Sequence, residues 1–349
     1  MIQPSETERT ETAVNKPYAI FLSQEKENEH MFKVFSADVV SRLQEYVDIE
    51  PVIYCADDLA LPDVQRAEYV FATWGMAGLS EEQIAAYMPK LKRVFYAAGS
   101  VQDFARPFLN SGVAVHSAWA ANAVPVVEYT VAQILLANVG FYQSSAWYKN
   151  NGYDAAHAAC WAYPGNFKVK VGIIGCGMIG SMVCDRLKQY RVEVLVSDPF
   201  ASDEKLQALG AKRATLEEIF SQCQTISNHT ANLPQTVGML HGGLFDLMLP
   251  SATFINTGRG AQVVEDDLVA ALEAEPGRTA VLDVTHPEPV DPEGKLANLP
   301  NVILTPHIAG SSGNEIERMG EYMADELVRH LSGEDCLYSV SMKMLETMA

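Results

Sequence analysis

The sequence predicts an α/β protein with two doubly wound parallel sheets, in which one domain is inserted into the other. Short apolar runs typical of strands alternate with helix patterns, and this order forms parallel sheets whose faces are covered by helices. A glycine-rich turn at residues 175–180 opens a second alternating series, and a helix pattern at residues 312–331 follows that series. We therefore expect a first domain of residues 17–118 and 309–349, interrupted by a second domain of residues 119–308.

Composition narrows the class of protein. The chain has 349 residues and a net charge of −19, which disfavours nucleic acid and anionic membranes as partners because both attract basic surfaces. Its six cysteines form no C-x-x-C pair, so we expect free thiols, a reducing compartment and a cytoplasmic protein. Residues 1–16 are polar and lack the apolar core of a signal peptide, so we expect a disordered start. The most apolar stretch, residues 124–141, contains Glu128, Gln133 and Asn138, which argues against a membrane span.

Strand-like runs separated by helix patterns make up the first domain. The turn after the fourth run lies where parallel sheets bind small molecules, at the carboxyl end of a strand. A plain connector explains that turn equally well. The predicted strands are residues 18–22, 52–54, 69–73, 93–97 and 113–116, and the turn consists of Ala98, Gly99, Ser100 and Val101.

Two stretches connect the first domain to the glycine-rich turn. Residues 122–138 carry apolar side chains around most of a helical circumference, which indicates a helix buried on two sides, between domains or subunits. Residues 148–166 are aromatic, contain glycine and have no regular period. We expect an irregular surface excursion there.

The glycine-rich turn has the pattern G-x-G-x-x-G between a strand-like run and a helix pattern. The first glycine permits a tight turn, the second lets the backbone approach a pyrophosphate, and the third lets helix and strand pack closely. Asp198 ends the next strand, where a carboxylate can bind both ribose hydroxyls and repel a 2′-phosphate, and neither Pro199 nor Phe200 is a cation. A chance turn would lack this context, so the pattern predicts a dinucleotide-binding site, and Asp198 predicts NAD rather than NADP as the cofactor. The predicted cofactor-binding residues are Gly175, Gly177, Met178, Ile179, Gly180 and Asp198.

Three polar residues follow later predicted strands, at residues 253–256, 279–284 and 302–305. Arg259 can bind a carboxylate in bidentate fashion and polarise an adjacent carbonyl. His307 can exchange a proton with a hydroxyl while hydride moves at the same carbon. Glu288 can bond the other imidazole nitrogen and favour the imidazolium. Arg259, Glu288 and His307 are therefore the predicted catalytic residues.

Each of these residues has an ordinary alternative. Alone, such residues are more often a surface charge, a solvated carboxylate or a hydrogen-bonded histidine, and only their joint placement behind a dinucleotide pattern favours catalysis. His286 is the rival base, although it lies within a turn. The eight histidines show no metal-ligand spacing with cysteines or carboxylates, so we expect no metal.

Several motifs, in order, resemble those of the D-isomer-specific 2-hydroxyacid dehydrogenase family. The resemblance covers nearly the whole chain after residue 16 and implies a Rossmann NAD-binding domain inserted into a flavodoxin-like substrate domain. The motifs are NAVPVVE at residues 122–128, the glycine pattern with Asp198, FINTGRG at 254–260, LDV at 282–284 with PEP at 287–289, and LTPHIAG at 304–310.

The resemblance also implies residue roles and a homodimer. Arg259, Glu288 and His307 would be the catalytic three, and the helix after Asn122 would build the dimer. Two departures from the family pattern are His229-Thr230-Ala231, where His-x-Pro is usual, and a substrate loop that lacks Gly-x-Gly. The nicotinamide end would be held by Thr257, Asp283, His307 and Gly310, and the substrate by Ala98, Gly99, Ser100, Val101 and Arg259.

The expected function is an NAD-dependent D-2-hydroxyacid dehydrogenase acting as a 2-keto acid reductase. Hydride would pass between the nicotinamide and C2 of a small 2-hydroxy or 2-keto acid, with His307 as the acid/base. Glu288 disfavours formate, because formate dehydrogenases of the family usually have glutamine there. The alternative is an NAD(H)-sensing, corepressor-like binding protein of the same fold.

Overall fold

The computed structural model describes residues 16–346, and these residues form two compact units. The first comprises residues 16–118 and 319–341, and the second comprises residues 119–318 and 342–346. The chain thus returns to the first unit at Met319, ten residues later than the boundary set from the sequence, because Asp283 and Asn122 of the second unit hold the backbone at residues 308–311. The disordered start expected at residues 1–16 lies, except for Lys16, outside the described residues.

The strands and helices alternate along most of the chain. The strands are β1 (Ala19–Leu22), β2 (Ile53–Tyr54), β3 (Tyr69–Ala72), β4 (Arg93–Tyr96), β5 (Ala114–Ser117), β6 (Phe167–Ile174), β7 (Arg191–Ser197), β8 (Ala211–Arg213), β9 (Thr225–Asn228), β10 (Thr253–Asn256), β11 (Thr279–Leu282), β12 (Val302–Leu304) and β13 (Ser339–Val340). The helices are α1 (Met31–Val34), α2 (Ala37–Tyr46), α3 (Pro62–Arg66), α4 (Glu81–Tyr87), α5 (Ala105–Asn110), α6 (Trp119–Asn138), α7 (Phe141–Cys160), α8 (Met178–Leu187), α9 (Asp203–Ala208), α10 (Leu216–Gln222), α11 (Gly242–Phe245), α12 (Glu265–Ala274), α13 (Lys295–Asn298) and α14 (Ile316–Leu331).

The sheet of the first unit has the strand order β13-β5-β4-β3-β1-β2. Its first five strands are parallel and follow the flavodoxin-like order 2-1-3-4-5. β13 is antiparallel to β5, with Ser339 opposite His116, and brings the later part of the chain to the edge of this sheet. The predicted fold class is confirmed for this unit.

The sheet of the second unit has the strand order β12-β11-β10-β9-β6-β7-β8, with all neighbours parallel. In chain order this is 3-2-1-4-5-6-7, the Rossmann arrangement with one further strand. The order reverses between β6 and β9, and in such sheets the crevice at this reversal binds the ligand. The predicted Rossmann domain is therefore confirmed.

Helix α6 is the long apolar helix that the sequence predicts. It has the length and the apolar composition of a membrane span. Its Val127 and Ile134 are buried in one cluster with Val171, Ile173 and Val183. The helix therefore serves as a core helix of the second unit.

Helix α7 corrects the prediction of an irregular excursion at residues 148–166. Residues 141–160 are helical, with a kink at Gly152, whose φ is 79°. Only Gln143 and Ala156 of this helix are buried, so there is little apolar periodicity for a sequence pattern to detect. Gly152 interrupts what periodicity remains.

Candidate active site

The glycine-rich turn is crowded at its first and third glycines, Gly175 and Gly180, and open at its second, Gly177. Gly175 has a φ of 84°, and a Cβ there would lie 2.9 Å from the His229 carbonyl oxygen. A Cβ on Gly180 would lie 2.0 Å from the Gly175 carbonyl oxygen. At Gly177, which precedes α8, a Cβ would meet no atom of the described residues within 4 Å, apart from its chain neighbours. The open face at Gly177, beside the N–H groups that begin α8, suits a pyrophosphate.

Asp198 follows β7 and lies beside this turn. Its Oδ2 accepts a hydrogen bond from the Cys176 N–H at 2.6 Å. Its Oδ1 accepts from the N–H groups of Phe200 and Ala201 at 2.7 and 3.1 Å. These bonds orient the carboxylate, and its remaining lone pairs suit the ribose hydroxyls of the predicted cofactor.

Two cationic side chains that the sequence did not predict at this site, Lys205 and Arg213, lie near Asp198. Lys205 donates from Nζ to the Cys176 carbonyl oxygen at 2.6 Å, and Arg213 donates from a terminal nitrogen to the Asp198 carbonyl oxygen at 2.9 Å. Arg213 also lies 2.7 Å from Asp203, so its charge is paired. Hydrogen bonds from Cys184 and Ser181 and the ammonium of Lys205 lower the pKa of the Cys176 thiol. No local pattern indicates these contacts, because they come from α9 and β8.

Arg259 follows β10 between two glycines that have no room for a side chain. A Cβ on Gly260 would lie 2.0 Å from the Thr285 carbonyl carbon, and one on Gly258 would lie 2.8 Å from Gln262 Oε1. The Arg259 side chain is half-buried and donates to the Gly258 carbonyl oxygen at 2.8 Å. The backbone of this segment therefore packs directly against the end of β11.

His307 and Glu288 contact each other, as predicted. Nδ1 of the imidazole lies 2.8 Å from Oε1 of the carboxylate, and the two side chains are 47% and 43% exposed. Nε2 has no hydrogen-bond partner in the described part of the chain. The His307 backbone has a φ of 54°, a left-handed conformation that is uncommon outside glycine and that its surroundings must hold in place. The contact with Glu288 thus orients the imidazole ring, and its Nε2 remains accessible to a ligand.

Asp283 holds the segment that carries His307. Its carboxylate accepts from the Thr305 hydroxyl at 2.6 Å and from the N–H groups of Ile308 and Ala309 at 2.8 and 2.9 Å. The His307 N–H donates to the Asp283 carbonyl oxygen at 3.1 Å. Asp283 is 3% exposed, and its carboxylate contacts residues of this segment. Its role toward the nicotinamide stays a prediction.

His229, which begins the departure from His-x-Pro, contacts Thr257. Its Nε2 lies 2.9 Å from the Ser227 hydroxyl and its Nδ1 lies 3.4 Å from the Thr257 hydroxyl. Close packing lowers the pKa of His229 to about 4, so the ring is neutral near pH 7. His229 thus supports Thr257 as well as bordering Gly175.

The predicted substrate loop lies in the first unit, after β4. The Ser117 hydroxyl contacts the carbonyl oxygens of Ala98 and Gly99 at 2.9 and 2.6 Å. Within residues 16–346, no hydrogen-bond acceptor meets the N–H groups of Gly99 or Ser100. Val101 is buried, with 1% exposure, and anchors the end of the loop. The loop can therefore offer backbone donors to an anion.

The first unit also contains a polar cluster that the sequence did not predict, in which His116 and Glu326 are buried and Cys336 is half-buried. The side-chain atoms of His116, Glu326 and Cys336 that are able to bind a metal ion lie within 4.8 Å of one another. His116 Nδ1 lies 3.2 Å from Glu326 Oε2, and Arg93 lies 2.9 Å from His116 Nε2. The Tyr338 N–H also donates to Glu326, at 3.0 Å. Glu326 thus contacts both His116 of β5 and the backbone next to β13, so the cluster links β13 to β5.

The predicted catalytic residues follow three neighbouring strands of one sheet. Arg259, Glu288 and His307 come after β10, β11 and β12 respectively, at the edge where the glycine-rich turn follows β6. Gly310 lies next to Asn122, whose side-chain oxygen accepts from the Ser311 N–H at 3.0 Å. The rival base, His286, is exposed and follows the Thr285 backbone that packs on Gly260.

Known proteins are similar to this chain in sequence and in fold. The family model for the D-isomer specific 2-hydroxyacid dehydrogenase NAD binding domain matches residues 131–309. A D-3-phosphoglycerate dehydrogenase of Archaeoglobus fulgidus is 28% identical over 235 residues, which are 67% of this chain and 44% of that protein. A Staphylococcus haemolyticus relative is 37% identical over 164 residues, 47% of this chain and 51% of that protein. The chain thus spans about half the length of these curated relatives.

Solved structures share the fold. A phosphoglycerate oxidoreductase from Rhizobium etli has a TM-score of 0.78 at 20% identity, covering 95% of this chain and 100% of that one. D-lactate dehydrogenase with NAD+ from Lactobacillus jensenii has a TM-score of 0.72 at 21% identity, covering 93% and 99%. The family match, the motifs and the two sheets agree. The chain therefore belongs to the D-isomer-specific 2-hydroxyacid dehydrogenase family and carries its NAD-binding domain.

Proposed function

We propose that this chain is an NAD-dependent 2-hydroxyacid dehydrogenase that reduces a small 2-keto acid to the D-2-hydroxy acid. The observation that carries the proposal is the 2.8 Å contact between His307 Nδ1 and Glu288 Oε1, which leaves Nε2 for a substrate oxygen. With Nδ1 held by Glu288, the ring is oriented so that Nε2 can exchange a proton with a substrate oxygen.

Each of the three predicted catalytic residues of the second unit has a separate role in the proposed reaction. The glycine-rich turn and Asp198 would hold NADH, which would supply the hydride that C2 of the keto acid accepts. His307 donates the Nε2 proton to the carbonyl oxygen as that oxygen gains charge, and Glu288 keeps the ring oriented. Arg259 binds the carboxylate and polarises the carbonyl. His307 is then neutral, and its 47% exposure lets solvent return the proton.

The charge of the first unit favours a substrate whose side chain is uncharged. The loops after β1, β3 and β4, residues 23–30, 73–80 and 97–104, contain no arginine, one histidine, His30, and one lysine, Lys26, which lies 2.9 Å from Asp58. The same loops carry Glu25, Glu27, Glu29 and Asp103. A phosphate or second carboxylate on the substrate would meet repulsion at this edge of the sheet. We therefore propose a keto acid whose only charge is its 2-oxo carboxylate.

A keto-acid panel tests the reaction and the substrate class together. NADH oxidation would be measured with pyruvate, phenylpyruvate and hydroxypyruvate, and with oxaloacetate, 2-oxoglutarate and phosphohydroxypyruvate. We expect turnover with members of the first group, and kcat/KM at least about tenfold lower in the second group. Preference for a doubly charged acid would contradict the substrate class. NADH binding without turnover of any keto acid would contradict the reaction and favour a binding protein.

We also propose a homodimer built on α6 and α7. Several large apolar side chains of this region are exposed, and patches of this kind on a protein surface mark contact sites. Sedimentation should give a dimer that Trp147→Glu dissociates, and a monomeric wild-type protein would contradict this. The exposed residues are Leu136, Val139, Phe141, Trp147, Tyr148, Tyr153 and Trp161.

A further inference from the structure

Three buried side-chain amides lie behind Arg259. Asn228 ends β9 and Asn256 ends β10, where the two residues are opposite each other in the parallel register. Gln262 ends the short turn that follows Arg259. All three are 0% exposed. Asn228 Nδ2 donates to Asn256 Oδ1 at 3.0 Å and to Gln262 Oε1 at 2.6 Å, which joins them into one network.

This network holds the backbone of Arg259 at both of its polar groups. The Arg259 N–H donates to Gln262 Oε1 at 3.1 Å, and Asn256 Nδ2 donates to the Arg259 carbonyl oxygen at 3.1 Å. The preceding N–H, of Gly258, donates to Asn256 Oδ1 at 3.0 Å. A side chain on Gly258 would collide with this network, so the glycine is needed for the close approach.

The network continues to the segment after β9. Gln262 Nε2 donates to the carbonyl oxygens of Thr230 and Ala231 at 2.8 and 2.9 Å. Asn228 Oδ1 accepts from the hydroxyl of Thr230 at 2.7 Å. The amide hydrogens of Asn228 and Gln262 are therefore all used. Removing one member of such a buried network leaves several partners unsatisfied, so the network restricts the segment that it holds.

We propose that Asn228, Asn256 and Gln262 are positioning residues for the substrate-binding guanidinium, with Gln262 linking Arg259 to the segment at Thr230 and Ala231. This inference rests on the proposed role of Arg259 in binding the substrate carboxylate. Gln262 touches no substrate and acts only by fixing where the Arg259 side chain begins. A displaced arginine loses the geometry that a bidentate contact needs.

The test compares two buried glutamines of the same unit. Gln262→Met keeps the side-chain size but cannot accept from Arg259 or donate to Thr230 and Ala231. Gln224→Met is the matched control. Gln224 is 5% exposed, donates to the Ser251 carbonyl oxygen at 2.6 Å and precedes the first residue of β9, whereas the network lies at the last residue of that strand. The readouts are the thermal midpoint, the NADH dissociation constant, the affinity of the NADH complex for oxamate, a keto-acid analogue, and amide exchange at Arg259.

We expect Gln262→Met to weaken oxamate binding by about tenfold and to speed exchange of the Arg259 amide by about the same factor, as the loss of one buried bond implies. Gln224→Met should change both by less than about twofold, even where the two variants lose similar thermal stability. Unchanged exchange at Arg259, or equal oxamate losses in the two variants, would overturn the inference.

A double-mutant cycle shows whether the effect passes through the guanidinium. In an Arg259→Lys background, Gln262→Met should weaken oxamate binding by less than about threefold, because the fork it positions is gone. Equal losses in both backgrounds would overturn the positioning role. If Gln262→Met does not fold, Asn228→Leu serves in the same cycle with the same expectation. A folded wild-type protein that binds NADH but turns over no keto acid would refute the proposed function, whereas amide exchange at Arg259 would still show whether the network holds this segment.

Discussion

Replacing Asp283 with asparagine should loosen the segment that carries His307 without changing the size of a buried side chain. The Asp283 carboxylate accepts from the Thr305 hydroxyl and from the N–H groups of Ile308 and Ala309. An amide has one oxygen where the carboxylate has two. In either orientation its NH2 group faces the N–H of Ile308 or of Ala309, so one of these donors loses its acceptor.

The size of the effect follows from the burial of these groups. Asp283 is 3% exposed and Ala309 is also 3% exposed, so water replaces the lost acceptor poorly. A buried donor without an acceptor costs about 1–3 kcal/mol, which corresponds to about 5- to 150-fold in the equilibrium for local opening. The left-handed backbone of His307 depends on the same contacts. Turnover should therefore fall as well.

Hydrogen exchange of residues 305–311 measures this opening directly. Amide exchange at Ile308 and Ala309 should accelerate by about 5- to 150-fold, because the exchange rate reports the free energy of local opening. Asp185→Asn is the control: Asp185 is 62% exposed and pairs with Lys188, so its loss should leave this segment unchanged. Native exchange rates in Asp283→Asn would refute the assigned role of the carboxylate.

Three further predictions concern the cofactor end of the second unit. Gly180→Ala should lower the thermal midpoint, because its Cβ would lie 2.0 Å from the Gly175 carbonyl oxygen, whereas Gly177→Ala should fold normally and weaken NADH binding; equal melting of the two variants would contradict the packing argument. Asp198→Ala should narrow the preference for NADH over NADPH in fluorescence titrations, and an unchanged ratio would remove Asp198 from that role. Packing lowers the pKa of His229 from 6.5 to about 4, so its stabilising contribution is complete above pH 6.5 and is lost as the pH falls toward 4. The free energy of unfolding should depend less on pH across that window in His229→Gln, and parallel curves for variant and wild type would contradict the assignment.

The sequence was most informative where structure is local and buried. The strand predicted at residues 253–256 is β10 with the same bounds, because the apolar residues Phe254 and Ile255 mark the centre of a short segment that is buried throughout. The order of such runs and of the glycines predicted the Rossmann sheet. The contact of His307 with Glu288 was also foreseen, since the carboxyl ends of neighbouring strands β11 and β12 meet at one edge.

Long-range hydrogen bonds and weakly patterned elements could not be predicted. The bonds from Ser117 to the 98–101 loop and from Gln262 to Thr230 join residues 18 to 32 positions apart, and no periodicity records such partners. β13 is only two residues long, and α7 buries too few side chains to show a helical period. Lys205 was missed because its partner is a backbone carbonyl, which any residue could supply.

In the proposed reaction His307 transfers the proton when a keto acid is reduced, and single-turnover reduction by the NADH complex measures that step. The measurement follows NADH absorbance in the wild type and in His307→Gln, with NADH affinity determined in parallel. A lost general acid costs about 100- to 10,000-fold in rate, so we predict a decrease of that size in His307→Gln, with NADH affinity within about threefold of the wild type. Reduction by His307→Gln at a rate near that of the wild type would contradict this role of His307.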